Sequence, residues 1–278
     1  MTSFVVLWHP ELMLSTVLLA AAYLDVVGPL RSRFREGAPV AAAQRAAFLA
    51  GLLAVYIAQG SPLELYANLY LFSAHMLQMV LLVFVAPPLL LRGTPTWLLR
   101  PLFSAVAPLR SLVRWVTHPG RALLLFLFVF SVYLAPVLTD SALASGPLFL
   151  LEHLLSVGVA LAVWWPIMSP LPELPPLPEP GQLLYSFLVE LGMTVAFALV
   201  TFAGRPIYAV YAHAPRVIPL SPLEDQQLGG ILMRVGSMTT FGVVFASRFF
   251  RWARREGAPD RVDPLPTAAA DAAEGPGR

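Results

Sequence analysis

Residues 67–91 read ANLYLFSAHMLQMVLLVFVAPPLLL and contain no Asp, Glu, Lys or Arg. A helix rises about 1.5 Å per residue, so this run is long enough to cross a hydrocarbon layer about 30 Å thick. It also contains His75. An imidazole in hydrocarbon is costly unless something binds it, so a histidine at this place is a candidate functional residue.

The composition of the whole chain points to the same class. Of 278 residues, 58% are hydrophobic and 12% are charged, which leaves too little polar surface to cover a water-soluble globule. The sequence therefore predicts an all-α polytopic membrane protein with about seven transmembrane helices. They are placed near residues 11–30, 43–60, 67–91, 121–139, 147–168, 183–203 and 226–250.

The arginines predict the orientation of these helices. Most of them fall in segments 31–42 and 92–120 and at the end of the last span, whereas the opposite side carries mainly Arg205 and Arg216. The positive-inside rule then places the N-terminus outside and the C-terminus in the cytoplasm. We expect residues 1–255 to form the transmembrane domain and residues 256–278, rich in Ala, Pro, Asp and Gly, to be a disordered cytoplasmic tail.

Two connections differ from ordinary loops. Residues 92–120 combine Trp and Leu with several arginines, which predicts an amphipathic segment lying on the inner leaflet. Residues 169–181 are too rich in proline for regular structure and predict an extended linker.

The histidines predict a metal site. The chain has no cysteine, so a metal would need His, Met or carboxylate ligands. Counted along the helices, His75 lies about 12 Å and His153 about 9 Å below the outer surface. Met79 lies one turn after His75, and thioether with imidazole suits Cu(I). We therefore expect copper at His75, Met79 and His153, although either histidine alone could instead hydrogen-bond a neighbouring helix.

Other residues within the spans give weaker predictions. Met233 and Met238 could complete the site or line a path to it, or could simply pack in the core. Glu152 and Arg234 fall at similar depths, which predicts an ion pair between helices five and seven. Glu190 could serve a proton or ion step, or only a packing hydrogen bond.

Three runs carry a resemblance to a known family. They are SAHMLQMVLLVFVAPPLLL from Ser73, EHLLS from Glu152 with WWP from Trp164, and LSPLEDQQLGGILM from Leu220. In this order they resemble the CtaG membrane family of cytochrome c oxidase assembly factors. The resemblance implies a multi-pass protein of the bacterial plasma membrane. It further implies a respiratory-chain copper chaperone that is no enzyme itself and that supplies copper from the outer side to haem-copper oxidase subunits.

The resemblance also carries over individual residues. The family pattern on helix three reads His-Met-x-Gln-His, so His75, Met76 and Gln78 match, and Met79 stands where a second histidine is expected. His153 matches the histidine of helix five. Asp225 belongs to the signature that opens helix seven, where we expect it to cap that helix rather than to contact the metal.

Two other functions fit the same residues. Two histidines at one level on different helices are also the usual arrangement for a b-type haem, which predicts a membrane cytochrome. A copper transporter is the third possibility, and it would need polar groups through the whole thickness of the membrane.

Overall fold

The computed structural model describes residues 7–34, 37–105, 107–143 and 145–256. Within these ranges all regular structure is helical and no strand is present. Six helices are long and apolar enough to cross a membrane. The number rises to seven if Ala107–Val116 and Pro119–Tyr133, two helices that meet at a bend of 78°, are counted as one span. The predicted all-α polytopic fold is therefore confirmed. Glu256 ends the last helix, and the rest of the predicted tail lies outside the described residues.

Seven long helices correspond one to one with the predicted segments. They are α1 (Pro10–Val27), α2 (Ala42–Gly60), α3 (Phe72–Gly93), α4 (Pro119–Tyr133), α5 (Gly146–Met168), α6 (Glu179–Thr201) and α7 (Pro222–Glu256).

Two predicted spans are interrupted near one end. The predicted third span began at residue 67, but a separate helix occupies Pro62–Leu69 before α3 starts at Phe72. The predicted fourth span ran to residue 139, but α4 ends at Tyr133 and a short helix, Pro136–Leu143, follows. Proline has no N–H and disfavours a helical residue before it, so the chain breaks ahead of Pro136.

The middle of α3 widens into a π-helix. Residues Val80–Val85 form it, and the N–H of Ala86 bonds the carbonyl of Leu81, five residues back. The carbonyl of Val83 would need an N–H four or five residues ahead, where Pro87 and Pro88 offer none. Trp164 of α5 supplies the missing donor, and its Nε1–H lies 3.0 Å from that carbonyl oxygen. The indole of Trp164 therefore replaces the backbone donor that the two prolines remove.

Helix α3 occupies the centre of the bundle. Of its most apolar window 72% is buried, against 33% or less for each of the other long single helices. It packs against α2, α5 and α7, and α7 in turn packs along α6. Trp164 also stacks on Phe241 of α7, with ring centroids 4.3 Å apart. Most side chains of α3 are thereby shielded from lipid.

Three short helices close one end of the bundle, which we name the capped end. They are Pro62–Leu69, Pro136–Leu143 and Ala209–His213. Tyrosine hydroxyls join them to the spans: Tyr211 donates to the carbonyl of Ala67 at 2.7 Å, and Tyr208 donates to that of Leu134 at 2.9 Å. These bonds fix the loops over the start of α3 and the end of α4.

The opposite end, which we name the basic end, carries helices Thr96–Ala105 and Ala107–Val116 and the linker 169–178. In Ala107–Val116 none of the residues is buried, and Leu109, Leu112 and Trp115 are exposed beside its arginines. This arrangement agrees with the predicted amphipathic segment. The linker is irregular over residues 169–178, and Arg100 bonds Glu173 across it at 2.6 Å. Residues 179–181, predicted as part of the linker, instead open α6, because proline is tolerated in a first helical turn.

Candidate functional site

His75 lies in the first turn of α3 and is completely buried. Its Nε2 makes a short hydrogen bond with the hydroxyl of Tyr133, the last residue of α4. The two rings are nearly parallel, at 14°, with centroids 5.7 Å apart. Its Nδ1 is buried without a hydrogen bond of good geometry to any described residue. One nitrogen of His75 is thus held, and the other remains available to a ligand.

His153 lies on α5 and is 5% exposed. Its Nδ1 is 3.0 Å from the carbonyl oxygen of Phe149, one turn earlier. A carbonyl only accepts, so Nδ1 must carry the proton and Nε2 presents a lone pair. That Nε2 is buried and unpartnered among the described residues. The imidazole is also close enough to His75 to interact with it electrostatically.

The remaining predicted residues of α3 face the interior as well. Met79 and Gln78 are completely buried, and Met76 is 1% exposed. The Nε2 of Gln78 donates to the carbonyl of Ala58 at 2.9 Å, which ties α3 to α2, while its Oε1 is buried without a partner in the described chain. The stripe of His75, Gln78 and Met79 therefore presents nitrogen, oxygen and sulfur atoms to the interior, with Gln78 close enough to His75 to hydrogen-bond its ring.

The two methionines of α7 differ in burial. Met233 is completely buried and belongs to the same core cluster as Met79. Met238 is 53% exposed and lines a cavity between α6 and α7. The structure thus places Met233 in the interior and turns Met238 outward, so Met238 cannot complete a site around His75.

Tyrosines lie beside His75, and the sequence analysis did not predict them. The ring centroid of Tyr211 lies 6.1 Å from that of His75, and Phe72 stacks on Tyr208 at 4.4 Å. Both tyrosines come from the connection between α6 and α7. The signal available in the sequence was the presence of tyrosines close to the ends of apolar spans, where an aromatic ring can be buried and its hydroxyl still bonded.

Asp225 caps a different helix from the predicted one. It is buried, and its carboxylate accepts from the N–H of Phe72 at 2.8 Å and from the N–H and hydroxyl of Ser73 at 3.2 and 2.5 Å. These are first-turn N–H groups of α3, which has no side-chain cap of its own. The prediction that Asp225 caps α7 was therefore wrong. Ser221 and Glu224 cap α7 reciprocally instead.

Gly229, in the same signature, lets α7 come close to α3. A Cβ at this position would lie 2.5 Å from the ring of Phe72 and 3.1 Å from Met76. Any larger residue would push the two helices apart. The signature that opens α7 therefore fixes the position of the helix that carries His75.

The predicted ion pair was also wrong in one partner. Arg234 bonds Glu190 of α6, with Nη1 and Oε2 2.7 Å apart, and Ser237 lies near the same carboxylate oxygen at 3.4 Å. The reason is geometric, because α7 packs along α6, so Arg234 faces that helix rather than α5. Glu152 points elsewhere, into a cavity between α4 and α5.

The side chains near the histidines limit which metal could bind there. Across the described ranges, no group of three or more His, Cys, Asp or Glu side chains could hold a metal ion. A metal at this place would depend on thioether or amide donors beside the imidazoles. Soft, low-coordinate Cu(I) accepts the thioether donor more readily than zinc does.

Comparison with known proteins identifies a family. Residues 21–255 match the model of the family described as cytochrome c oxidase caa3 assembly factor (Caa3_CtaG). The match covers all seven long helices apart from the first half of α1 and the last residue of α7. No curated protein and no solved structure matches the chain.

Proposed function

Because this chain belongs to the cytochrome c oxidase caa3 assembly factors, we propose that it binds copper and delivers it to the oxidase. In this proposal Cu(I) is a cargo, held between α3 and α5 by His75, Met79 and His153. The protein itself makes and breaks no covalent bond of a substrate.

The observation that carries the proposal is the pair of unused imidazole nitrogens. Nε2 of His153 is buried without a hydrogen bond in the described chain. Nδ1 of His75 is buried with no hydrogen bond of good geometry there, and Gln78 is the neighbouring side chain that can bond the same imidazole. A buried polar atom without a partner costs about 1–3 kcal/mol, so two of them favour a bound ligand. Met79, one turn beyond His75 and fully buried, offers a sulfur atom.

Tyr133 has a defined part in this proposal. A metal on Nδ1 of His75 requires the ring proton to reside on Nε2, which then donates to the tyrosine oxygen. Without metal, the tyrosine hydroxyl can donate to Nε2 instead. The observed contact between them serves both states, and a fixed partner on the second ring nitrogen orients a metal-binding histidine.

We propose that the capped end faces outward. The basic end carries Arg92, Arg110 and Arg114 with the arginines that end α7, whereas the capped end carries Arg205 and Arg216. The positive-inside rule then directs the basic end to the cytoplasm of a bacterial plasma membrane. The histidines would lie in the outer leaflet, where copper from outside reaches them without crossing the bilayer.

The test is oxidase activity in cells grown with limiting copper. The double variant His75→Ala, His153→Ala should lose most of the activity, and added copper should restore part of it. His213→Ala is the matched control, because His213 is an exposed histidine at the same end whose Nδ1 bonds only the carbonyl of Ala209. Full activity of the double variant under copper limitation would refute copper delivery by this site.

The absorption spectrum of the purified protein distinguishes the haem alternative from the copper proposal. A bis-imidazole haem would give a Soret band that shifts on reduction, whereas the copper proposal predicts colourless protein in the Cu(I) state. Uptake of copper into vesicles by the protein alone would instead favour the transporter.

A further inference from the structure

Glu152 points into a cavity at the side of the bundle. The cavity has a volume of about 250 Å³ and lies between α4, the short helix Pro136–Leu143 and α5. Its walls are mainly Val and Leu side chains, with Tyr133, Ser141 and Ser156 as the other polar residues. Glu152 is six residues into α5, about 9 Å from the start of that helix. We name this cavity the α4–α5 groove.

The carboxylate of Glu152 has no partner within the part of the chain that the structure describes. None of the described residues forms a hydrogen bond or an ion pair with it. The other intramembrane glutamate at a helix interface, Glu190, is paired with Arg234 at 2.7 Å. A carboxylate within the hydrocarbon layer is costly unless it is paired or protonated, and such residues usually mark a functional contact.

The groove opens on the lipid-facing wall of the bundle. Residues that line it are strongly exposed: Leu138 by 49%, Leu151 by 51% and Leu155 by 49%. An occupant must therefore be apolar over most of its surface and must carry one positive charge at the depth of Glu152. A transmembrane helix with a single Arg or Lys has this chemistry, and an unmodified lipid chain does not.

We propose that the α4–α5 groove docks a transmembrane helix of a partner membrane protein through a basic side chain that pairs with Glu152. The link to copper rests on the proposed function. Tyr133 lines this groove and also bonds His75, and His153 follows Glu152 in the chain. A partner docked here would lie beside the copper-binding histidines, on the lateral route by which copper leaves.

The experiment uses the full chain in proteoliposomes with synthetic transmembrane peptides as the probe. One peptide is a leucine-rich helix with a single Arg about 9 Å from its end, and the matched peptide has Leu at that position. The chain has no cysteine, so Leu138→Cys gives a single site for a benzophenone photo-cross-linker in the wall of the groove. Leu18→Cys on α1 is the control position, because α1 packs against α2, away from the groove.

The expected result is a photo-cross-linking yield at Leu138→Cys at least tenfold higher for the Arg peptide than for the Leu peptide. Adding Glu152→Gln should remove the difference, Glu152→Asp should retain most of it, and Leu18→Cys should show none. Equal yields for the two peptides, or an unchanged difference in Glu152→Gln, would overturn the proposal.

One further measurement, the copper content of Glu152→Gln, keeps this test separate from that of copper binding. Glu152→Gln should bind as much copper as the unaltered protein, since Glu152 is no ligand. If Glu152→Gln fails to fold, the comparison of the two peptides on the Glu152-containing protein still decides. If the two peptides differ in cross-linking yield but the protein binds no copper, the docking proposal stands and only its link to copper is rejected.

Discussion

At the scale of single residues, the candidate metal-binding side chains are positioned by residues that are not themselves proposed as ligands. Asp225 satisfies the free N–H groups at the start of α3, and Tyr133 holds one nitrogen of His75. His75 and His153 could be selected from the sequence because isolated imidazoles in apolar spans are costly. The partners of Asp225 and Arg234 could not, since they depend on which helices pack together.

Asp225→Asn tests the cap on α3. The amide keeps one accepting oxygen but loses the other, and with it the negative charge at the N-terminus of the helix. We expect the free energy of unfolding in detergent to fall by about 2 kcal/mol. Glu224→Gln is the control, because its exposed carboxylate caps α7 at the surface, and it should cost under about 0.5 kcal/mol. Equal stability of the two variants would argue against the cap.

At the scale of elements, hydropathy located the seven long helices but not their interruptions. The break at Pro136 follows from the missing N–H of proline. The π-helix in α3 depends on Pro87, Pro88 and an indole from another helix. The sequence contains both the proline pair and Trp164, yet only the packing of α5 on α3 shows that Trp164 donates to the carbonyl that the prolines leave unbonded. The π-helix also lies directly after Met79, so it sets the end of the candidate metal-binding turn.

Trp164→Phe tests this interaction. The phenyl ring keeps most of the stacking on Phe241, but the carbonyl of Val83 loses its donor, so we expect a loss of about 1–3 kcal/mol in stability. The neighbouring Trp165 provides the matched control, since its buried Nε1 has no partner among the described residues. Trp165→Phe should therefore be the milder change when both are unfolded in the same detergent. A larger loss in Trp165→Phe would contradict the assignment.

At the scale of the whole molecule, the bundle has two unlike ends. The capped end buries tyrosines and histidines under short helices, whereas the basic end exposes an arginine-rich amphipathic helix. The arginine pattern predicted the basic end, but not the buried tyrosines of the capped end. It could not predict that Glu152 would line a cavity with Tyr133, the residue that bonds His75, because that depends on how α4 packs against α5.

Copper analysis of the purified, Cu(I)-loaded protein tests the central claim most directly. The account predicts one copper ion per chain, with an X-ray absorption spectrum that shows two nitrogen neighbours and one sulfur neighbour. His75→Ala and His153→Ala should each lose most of the metal, and Met79→Leu should lose the sulfur signal. Copper bound equally by the unaltered protein and by both histidine variants, or no copper in any of them, would contradict the account.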